Sequence, residues 1–164
     1  MEFEKYIETL NLQPHPEGGW YKEVYRSIEK YPYGDGNFPS ERNYCTAIYF
    51  LITTGKFSAF HRIKSDETWH FYAGDALEVI EIDAGGNLKK TVIGNNISIG
   101  NKLQYTVPAG IWFGSRVSSG GVFSLVGCTV SPGFDFRDFE MAERQKLLQD
   151  FPQHKNIIND LTRI

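Results

Sequence analysis

Residues 55–74 read GKFSAFHRIKSDETWHFYAG, and this stretch bears on both the fold and the site. It is rich in aromatic and β-favouring residues, which is typical of β-strands. It also carries two of the four histidines, His61 and His70, with Glu67 between them. Neutral imidazole and carboxylate groups are common partners in metal ligation and in proton transfer. The stretch therefore predicts strands that carry a chemical site.

The composition limits the fold around that stretch. The chain has 164 residues, 41% hydrophobic and 15% aromatic, which suffices for one ordinary core and is short for two. We therefore predict one domain over residues 1–164. The formal net charge of −3 gives no sign of a surface built for nucleic acid or an acidic membrane. We therefore predict neither nucleic acid nor a membrane as a partner.

The two cysteines and the first residues indicate the compartment. Cys45 and Cys128 are far apart and each lies in an apolar run, which predicts buried thiols and no disulfide framework or zinc site. The opening residues MEFEK lack the basic and apolar regions of a signal peptide. No apolar run approaches the roughly 18 residues that a membrane-spanning helix needs. We expect a cytoplasmic protein.

Short β-like runs follow one another through the middle of the chain, with little helix between them. After an alternating segment at 20–27, they lie at 44–53, 57–63, 67–73, 76–83, 88–94, 102–107, 111–117 and 122–130. Turn residues separate them, as at 84–87, where AGGN predicts a tight hairpin. The number and spacing of the runs predict an all-β sandwich or barrel over about residues 20–130.

Helices are predicted only at the two ends. Apolar residues recur at helical spacing over residues 3–10, and again among charged residues over about 137–162. Between the first helix and the strands lies a connector, residues 12–19, with two prolines and a glycine pair. Its His15 and Glu17 are interpreted as bracing the turn. The alternative is that the connector crosses the barrel mouth or a partner subunit, where His15 would contact a ligand.

Four separate motifs occur in order along the chain. They read LQPHPEGGWY at 12–21, FHR at 60–62 with ETWHF at 67–71, VPAGIWF at 107–113, and CTVSPGFDF at 128–136. Together they resemble the cupin-like domain of unknown function 985 family, over nearly the whole chain. The resemblance implies a double-stranded β-helix, or jelly roll, usually as a homodimer. It implies no particular activity, because fold alone does not supply one.

The resemblance also bears on metal binding. The first cupin motif is matched at Gly55, His61, Glu67 and Gly74. Ile63 stands where that motif has its second histidine, and Phe113 stands where the second motif has its histidine. The cupin metal set of three histidines and a glutamate therefore cannot be assembled, and no metal or other cofactor is firmly predicted. A divalent transition metal on His61, Glu67 and His70 is the alternative.

The alternation of side chains along a strand places the candidate catalytic residues. His61 and Glu67 could both face the barrel interior, where a carboxylate is costly unless paired or protonated. His70, three positions after Glu67, falls on the opposite face unless a β-bulge brings it inside. We predict His61, Glu67 and His70 as catalytic residues, with His61 as the base and Glu67 as its orienter or the acid.

Aromatic walls with a few polar groups are typical of a small-molecule pocket. The guanidinium groups of Arg26, Arg62 and Arg116 are candidate anion contacts, although each is equally well explained as a solvated strand residue. The predicted substrate-binding residues are Arg62, Trp69, Phe71, Trp112, Phe113 and Arg116.

Two functions remain open at this point. The first is an enzyme that moves a proton at a carbon next to a carbonyl of a small polar ligand, as in the epimerases and isomerases that share the cupin fold. A sugar or a sugar nucleotide is the expected ligand. The second is a binding or sensing module that holds a small molecule without turning it over. The absent cupin ligands favour the second function, whereas the retained histidine and glutamate argue against an inert barrel.

Overall fold

The computed structural model describes residues 2–31 and 38–163. Within these ranges the helices are α1 (Glu2–Leu10), α2 (Arg144–Asp150) and α3 (Lys155–Asp160), and none of them is long and apolar enough to cross a membrane. The strands are β1 (Gln13–Pro14), β2 (Trp20–Arg26), β3 (Lys30–Tyr31), β4 (Arg42–Asn43), β5 (Thr46–Thr53), β6 (Phe57–Arg62), β7 (Asp66–Gly74), β8 (Leu77–Ile82), β9 (Leu88–Ile93), β10 (Gln104–Val107), β11 (Trp112–Val117), β12 (Phe123–Ser131) and β13 (Glu140–Met141). Each predicted run from 44 to 130 contains a strand, so the all-β prediction is confirmed.

The strands form two facing antiparallel sheets. The first sheet has the order β1-β2-β5-β12-β7-β10, and the second has the order β13-β6-β11-β8-β9. From β5 to β12 the chain passes repeatedly between them, with β5, β7, β10 and β12 in the first sheet and β6, β8, β9 and β11 in the second. This interleaving is the predicted jelly roll, built as a sandwich whose sheets do not close at their edges. Strands β3 and β4 make a separate ribbon.

Each of the two sheets packs apolar residues on both of its faces. The core between the sheets includes Phe50, Trp69, Phe113 and Val126. Leu51, next to Phe50 on β5, points the other way and packs with α1, because successive strand side chains alternate. The outer face of the second sheet is covered in the same way by α2 and α3. The terminal helices thus close the sandwich on its two outer sides.

The C-terminal segment starts differently from the helices predicted over about 137–162. A 3-10 turn, Phe136–Asp138, leads into β13, which pairs with β6 so that Met141 lies opposite His61. The Ala142 N–H then donates to the Phe60 carbonyl at 2.9 Å. The free edge of β6 offers backbone groups that need partners, and β13 supplies them. For this reason the first α-helix of the segment begins only at Arg144.

The connector, residues 12–19, is fixed against β6 by its backbone. The Ala59 N–H donates to the Glu17 carbonyl at 2.8 Å. Gly18 has φ +120°, and a Cβ built there would lie 2.0 Å from the Phe57 carbonyl oxygen. Only glycine fits such a close approach in this conformation. The contact directs the Glu17 side chain into the molecule, where it is buried.

Candidate functional site

A cavity of about 380 Å³ opens at one end of the sandwich. Its wall is made by strands of both sheets, by the connector and by the segment after β12. The lining residues are Gln13, His15, Glu17, Tyr21, Glu23, Arg26, Thr46, Ile48, His61, Glu67, Cys128, Val130, Phe134, Asp135 and Phe136. The volume lies toward the lower end of the range for small-molecule pockets, roughly 300–1,000 Å³.

His61 lies on β6 with its imidazole buried in the cavity wall. Its Nδ1 is 2.7 Å from the Ala59 carbonyl oxygen, which can only accept a hydrogen bond, so Nδ1 carries a proton. Its Nε2 lies 3.2 Å from Glu17 Oε2. The Phe113 ring is 4.2 Å away between centroids. Burial in this aromatic setting lowers the pKa of His61, against the opposing effect of Glu67.

Glu67 enters the cavity from β7, in the sheet opposite His61. Its carboxyl is buried, and burial raises its pKa to about 7, although His61 acts in the opposite direction. The Cys128 thiol on the neighbouring strand β12 acts in the same direction as His61 and favours the ionised form of this carboxyl. Glu67 is therefore divided between its acid and base forms near neutral pH. In the structure His61 and Glu67 both face the same cavity, as the alternation of side chains predicted.

The connector supplies two further residues that were interpreted as bracing a turn. Glu17 Oε2 lies between the two imidazoles, 3.2 Å from His61 Nε2 and 3.6 Å from His15 Nδ1. The backbone N–H of Glu17 donates to His15 Nδ1 at 3.3 Å. His15 thus braces its turn and also lines the cavity. The motif at 12–21 was the sequence signal for these residues, but nothing local in it indicates contact with His61.

Aromatic rings surround His15. Its ring centroid is 4.4 Å from that of Tyr21 and 6.3 Å from that of Phe136, which is nearly parallel to it. Phe50 and Phe139 lie at 6.0 and 6.4 Å. Burial lowers the pKa of His15, although Glu17 acts in the opposite direction. The neutral imidazole is the form that this apolar cage favours.

His70 is not brought together with His61 and Glu67. It points to the outer side of the first sheet, where its Nε2 is 3.1 Å from Thr129 Oγ1. A β-bulge does interrupt the pairing of β7 with β12, but it falls after Phe71 and so cannot turn His70 inward. The alternation of side chains along β7 therefore holds at this residue.

The residues do not fit the metal that the cupin fold suggests. Ile63 and Phe113, at two of the ligand positions, are buried apolar residues. Across residues 2–31 and 38–163 no group of three or more His, Cys, Asp or Glu side chains could hold a metal ion. The alternative set of His61, Glu67 and His70 does not exist as a cluster, because His70 lies on the other side of the sheet.

Residues predicted to bind substrate lie elsewhere than in the cavity wall. Arg62, adjacent to His61 on β6, points to the opposite face, where it stacks 4.4 Å from the Trp112 ring and pairs with Glu140 at 2.7 Å. Arg116 pairs with Glu78 and Asp160 at 3.0 and 3.2 Å. Both arginines are thus occupied by carboxylates outside the cavity.

The three remaining predicted aromatic residues belong to the core between the sheets. Trp69 and Phe113 are fully buried, and Phe71 packs against the same cluster. Phe113 nevertheless supports the site, because its ring lies against His61. The aromatic residues that do line the cavity, Tyr21, Phe134 and Phe136, come from β2 and from the motif at 128–136.

Negative groups outnumber positive ones around the cavity. Arg26 is the single arginine among the lining residues of the described chain, and two nitrogens of its guanidinium contact Glu23 at 2.9 and 2.7 Å. Its third nitrogen donates to Asn43 and to the Phe134 carbonyl. The carboxyl groups of Glu17 and Glu67 have no such cation, since their nearest basic neighbours are imidazoles.

The segment after β12 is held in place by a buried ion pair. Arg42 on β4 contacts both carboxylate oxygens of Asp138, at 2.6 and 2.9 Å, and the two side chains are 1% and 4% exposed. Paired hydrogen bonds of this kind are strong and directional. The pair fixes the segment that carries Phe134 and Phe136 into the cavity wall.

Comparison with known proteins agrees with this architecture. The sequence profile of the family described as "Cupin superfamily (DUF985)" matches residues 4–142. A hypothetical protein from Leishmania major superposes with a TM-score of 0.91 at 40% identity, with 98% of each chain covered. A protein from Shewanella oneidensis superposes with a TM-score of 0.88, also at 40% identity, with 98% of this chain and 96% of that chain covered.

More distant structures share the fold alone. A variant of oxalate decarboxylase from Bacillus subtilis superposes with a TM-score of 0.55 at 12% identity, over 90% of this chain and 36% of that chain. No curated protein matches in sequence. The family match spans most of the chain, and the structures at 40% identity cover nearly all of it. The chain therefore belongs to the DUF985 family of the cupin superfamily.

Proposed function

We propose that the cavity binds a small, uncharged polar molecule of sugar size and that the protein moves a proton on it, as an isomerase or epimerase does. One observation carries the proposal. Two acid–base units, the His61–Glu17 pair and Glu67, face one cavity from opposite sheets. A molecule held between them would have a proton donor on one side and a proton acceptor on the other.

Size and charge favour a sugar over a sugar nucleotide. A cavity of about 380 Å³ is small for a nucleotide and a sugar together. The diphosphate of a sugar nucleotide would also meet Glu17 and Glu67, with Arg26 already paired to Glu23. An anion beside these carboxyl groups is unfavourable, because no unpaired lysine or arginine is among the lining residues of the described chain. Hydroxyl groups, in contrast, find both donors and acceptors on this wall.

The proposed reaction needs one base and one acid. Glu67, with its pKa near 7, takes a proton from the carbon next to the carbonyl, and the C–H electron pair becomes part of an enediol. The His61–Glu17 pair gives a proton to the carbonyl oxygen. Glu67 then returns its proton to the former carbonyl carbon, while the hydroxyl of the deprotonated carbon gives its proton back to the His61–Glu17 pair and becomes the new carbonyl. Both groups are regenerated, so no oxidant or reductant is needed. This assignment exchanges the roles predicted from the sequence, where His61 was the base.

Solvent-deuterium incorporation tests this function. Aldoses and ketoses are incubated with the protein in D₂O, and carbon-bound deuterium is followed by NMR. We expect incorporation next to the carbonyl of at least one sugar, with Glu67→Gln lowering the rate by roughly 10²–10⁴-fold, the usual contribution of a general base. Glu8→Gln, an exposed change on α1, serves as the control. Equal rates in wild type and Glu67→Gln contradict the proposal.

A non-catalytic binding or sensing module is the second candidate. The observation that favours it is the packing of Phe113 against His61, which fills one former ligand position with an apolar ring. Native mass spectrometry of the purified protein distinguishes the two candidates when combined with the deuterium experiment. A co-purified small molecule that binds without deuterium incorporation supports the binding module.

We also propose that the protein is a homodimer. Beyond its first residues β2 has no strand on its outer side in the described chain, since β1 pairs only with Trp20 and Tyr21. Val24 and Tyr25 on this edge are 48% and 54% exposed. Exposed apolar residues on an unpaired edge favour association with another strand.

A further inference from the structure

We propose that Glu17 is a protonated carboxylic acid in the resting protein and that it shares this single proton with His61. The connector would then supply the acid of the proposed reaction. The inference deepens the proposed function, and only its catalytic consequence rests on that function. The position of the proton is a property of the free protein and is argued from the hydrogen-bond geometry of the two histidines.

The backbone determines which nitrogen of neutral His61 lacks a proton. The Ala59 carbonyl is an acceptor, so the adjacent Nδ1 must be the donor. In the neutral ring Nε2 then carries a lone pair, and this lone pair is on the side of Glu17 Oε2, 3.2 Å away.

The backbone also determines which ring nitrogen of neutral His15 lacks a proton. The Glu17 N–H is a donor, so His15 Nδ1, 3.3 Å away, must be an acceptor. Neutral His15 therefore has its proton on Nε2, away from this contact. Its Nδ1 is also 3.6 Å from Glu17 Oε2. One carboxyl oxygen thus lies close to two nitrogens that both offer lone pairs.

An ionised Glu17 would be repelled in this arrangement. A carboxylate has only acceptor sites, and neither neutral imidazole offers it a proton. A buried acceptor without a donor is unfavourable, and more so when it is charged. One added proton between Glu17 Oε2 and His61 Nε2 removes the conflict and turns the 3.2 Å contact into a hydrogen bond.

The surroundings decide on which partner the proton resides. A neutral acid–imidazole pair avoids burying two charges, whereas an imidazolium–carboxylate pair must bury both. Phe113 and Phe139 lie 4.2 and 5.1 Å from the His61 ring and offer no polar contact. Burial raises the pKa of Glu17 and lowers that of His61, which agrees with the neutral pair.

Other ionisable groups around Glu17 do not reverse this balance. His15, the Ser58 hydroxyl and Arg163 favour its ionised form. His15 is caged by aromatic rings, Ser58 Oγ makes no hydrogen bond within the described chain, and Arg163 is exposed to solvent. Glu67 faces the same cavity, and the repulsion between two buried carboxylates opposes the ionisation of both at once. Cys128 adds no negative charge, because burial raises the pKa of its thiol well above the ordinary value. The neutral acid remains the favoured state of Glu17.

The shared proton gives the site its acid. When His61 Nε2 passes the proton to a carbonyl oxygen, Glu17 is left as a carboxylate, and the proton returns along the same path in the reverse step. Atoms and charge balance with Glu67, which gains a proton from carbon as Glu17 loses one to oxygen. The reactive form of the cavity therefore has Glu17 protonated and Glu67 ionised, on opposite walls.

NMR of the full-length labelled protein tests the proton position without any ligand. Long-range ¹H–¹⁵N spectra report the tautomer of each histidine, and the carboxyl ¹³C shift reports the state of Glu17. At pH 6–7 we expect neutral His61 with Nδ1–H, neutral His15 with Nε2–H, and Glu17 at the shift of a protonated acid. Imidazolium His61 with an ionised Glu17, or neutral His61 with Nε2–H, would overturn the inference.

Glu17→Gln is the informative variant, because its amide N–H can still donate to His61 Nε2. We expect both histidine tautomers to be unchanged in Glu17→Gln, as they are in the exposed control Glu8→Gln. In the deuterium assay Glu17→Gln should lose roughly 10²–10⁴-fold in rate. If no sugar incorporates deuterium, the proposed function fails, but the NMR result still decides where the proton resides.

Discussion

Glu67 makes the stability of the protein depend on pH. Its ordinary pKa of 4.5 is raised to about 7 by burial, so the folded protein holds this proton more tightly than the unfolded chain. Its stabilising contribution is therefore complete below about pH 4.5 and is lost as the pH rises to about 7. At about 1.4 kcal/mol for each pH unit, the total loss is on the order of 3 kcal/mol.

Glu67→Gln removes this dependence, because an amide does not ionise. We compare the free energy of unfolding of the variant with that of the wild type. We predict that the difference shifts in favour of the variant by about 3 kcal/mol as the pH rises from 4.5 to 7, and that it is constant above that range. Urea denaturation at a series of pH values measures it. Glu8→Gln should show no such trend, and a pH-independent difference for Glu67→Gln would contradict the prediction.

At the scale of elements, the connector is the part whose position decides the site. Gly18 brings its backbone so close to β6 that a methyl group would collide with the Phe57 carbonyl. Gly55 has a similar positive φ, +81°, but nothing lies within 4 Å of the Cβ it would gain. A substitution at Gly55 therefore tests the strain of a positive φ alone, whereas a substitution at Gly18 tests that strain together with the close contact.

Gly18→Ala and Gly55→Ala form a matched pair of variants. We predict that Gly55→Ala lowers the free energy of unfolding by about 1 kcal/mol, from backbone strain alone. Gly18→Ala should lower the free energy of unfolding by at least about 2 kcal/mol more than Gly55→Ala does, because the connector must move. The His61 resonances should shift in Gly18→Ala for the same reason. Thermal denaturation and histidine NMR are the measurements. Equal losses in the two variants would show that the connector is not tightly held.

The sequence accounts for the strands and for two members of the site. Alternation along β6 and β7 was enough to turn His61 and Glu67 inward and His70 outward. The same alternation, applied to Arg62 beside His61, would have excluded that arginine from the cavity. The position of Glu17 could not be predicted in this way, because it depends on contact between the connector and a strand some 40 residues later. No local periodicity reports such a contact.

At the scale of the whole molecule, the edge of β2 beyond Tyr21, which no strand of the described chain covers, predicts assembly. A β-bulge between Glu23 and Tyr25 sets the neighbouring residues Val24 and Tyr25 on the exposed edge. We predict that the protein sediments as a dimer and that Val24→Lys with Tyr25→Lys sediments as a monomer, because charges on an edge oppose pairing.

Leu88→Lys is the control for the dimer experiment. Leu88 is 44% exposed on β9, an edge strand of the other sheet, so the same kind of charge is added away from β2. This variant should remain a dimer in sedimentation velocity. A wild-type monomer, or an unchanged dimer after both β2 substitutions, would contradict the proposed interface.

The place of β12 in the first sheet has a consequence for biosynthesis. This strand lies between β5 and β7, pairing residues 46–53 on one side and residues 66–74 on the other. Neither β5 nor β7 can pair with β12 until residues 123–131 have left the ribosome. The Arg42–Asp138 ion pair likewise joins positions 96 residues apart. Contacts between such distant residues make folding slow. The nascent chain thus emerges almost entirely before all the residues that line the cavity can come together.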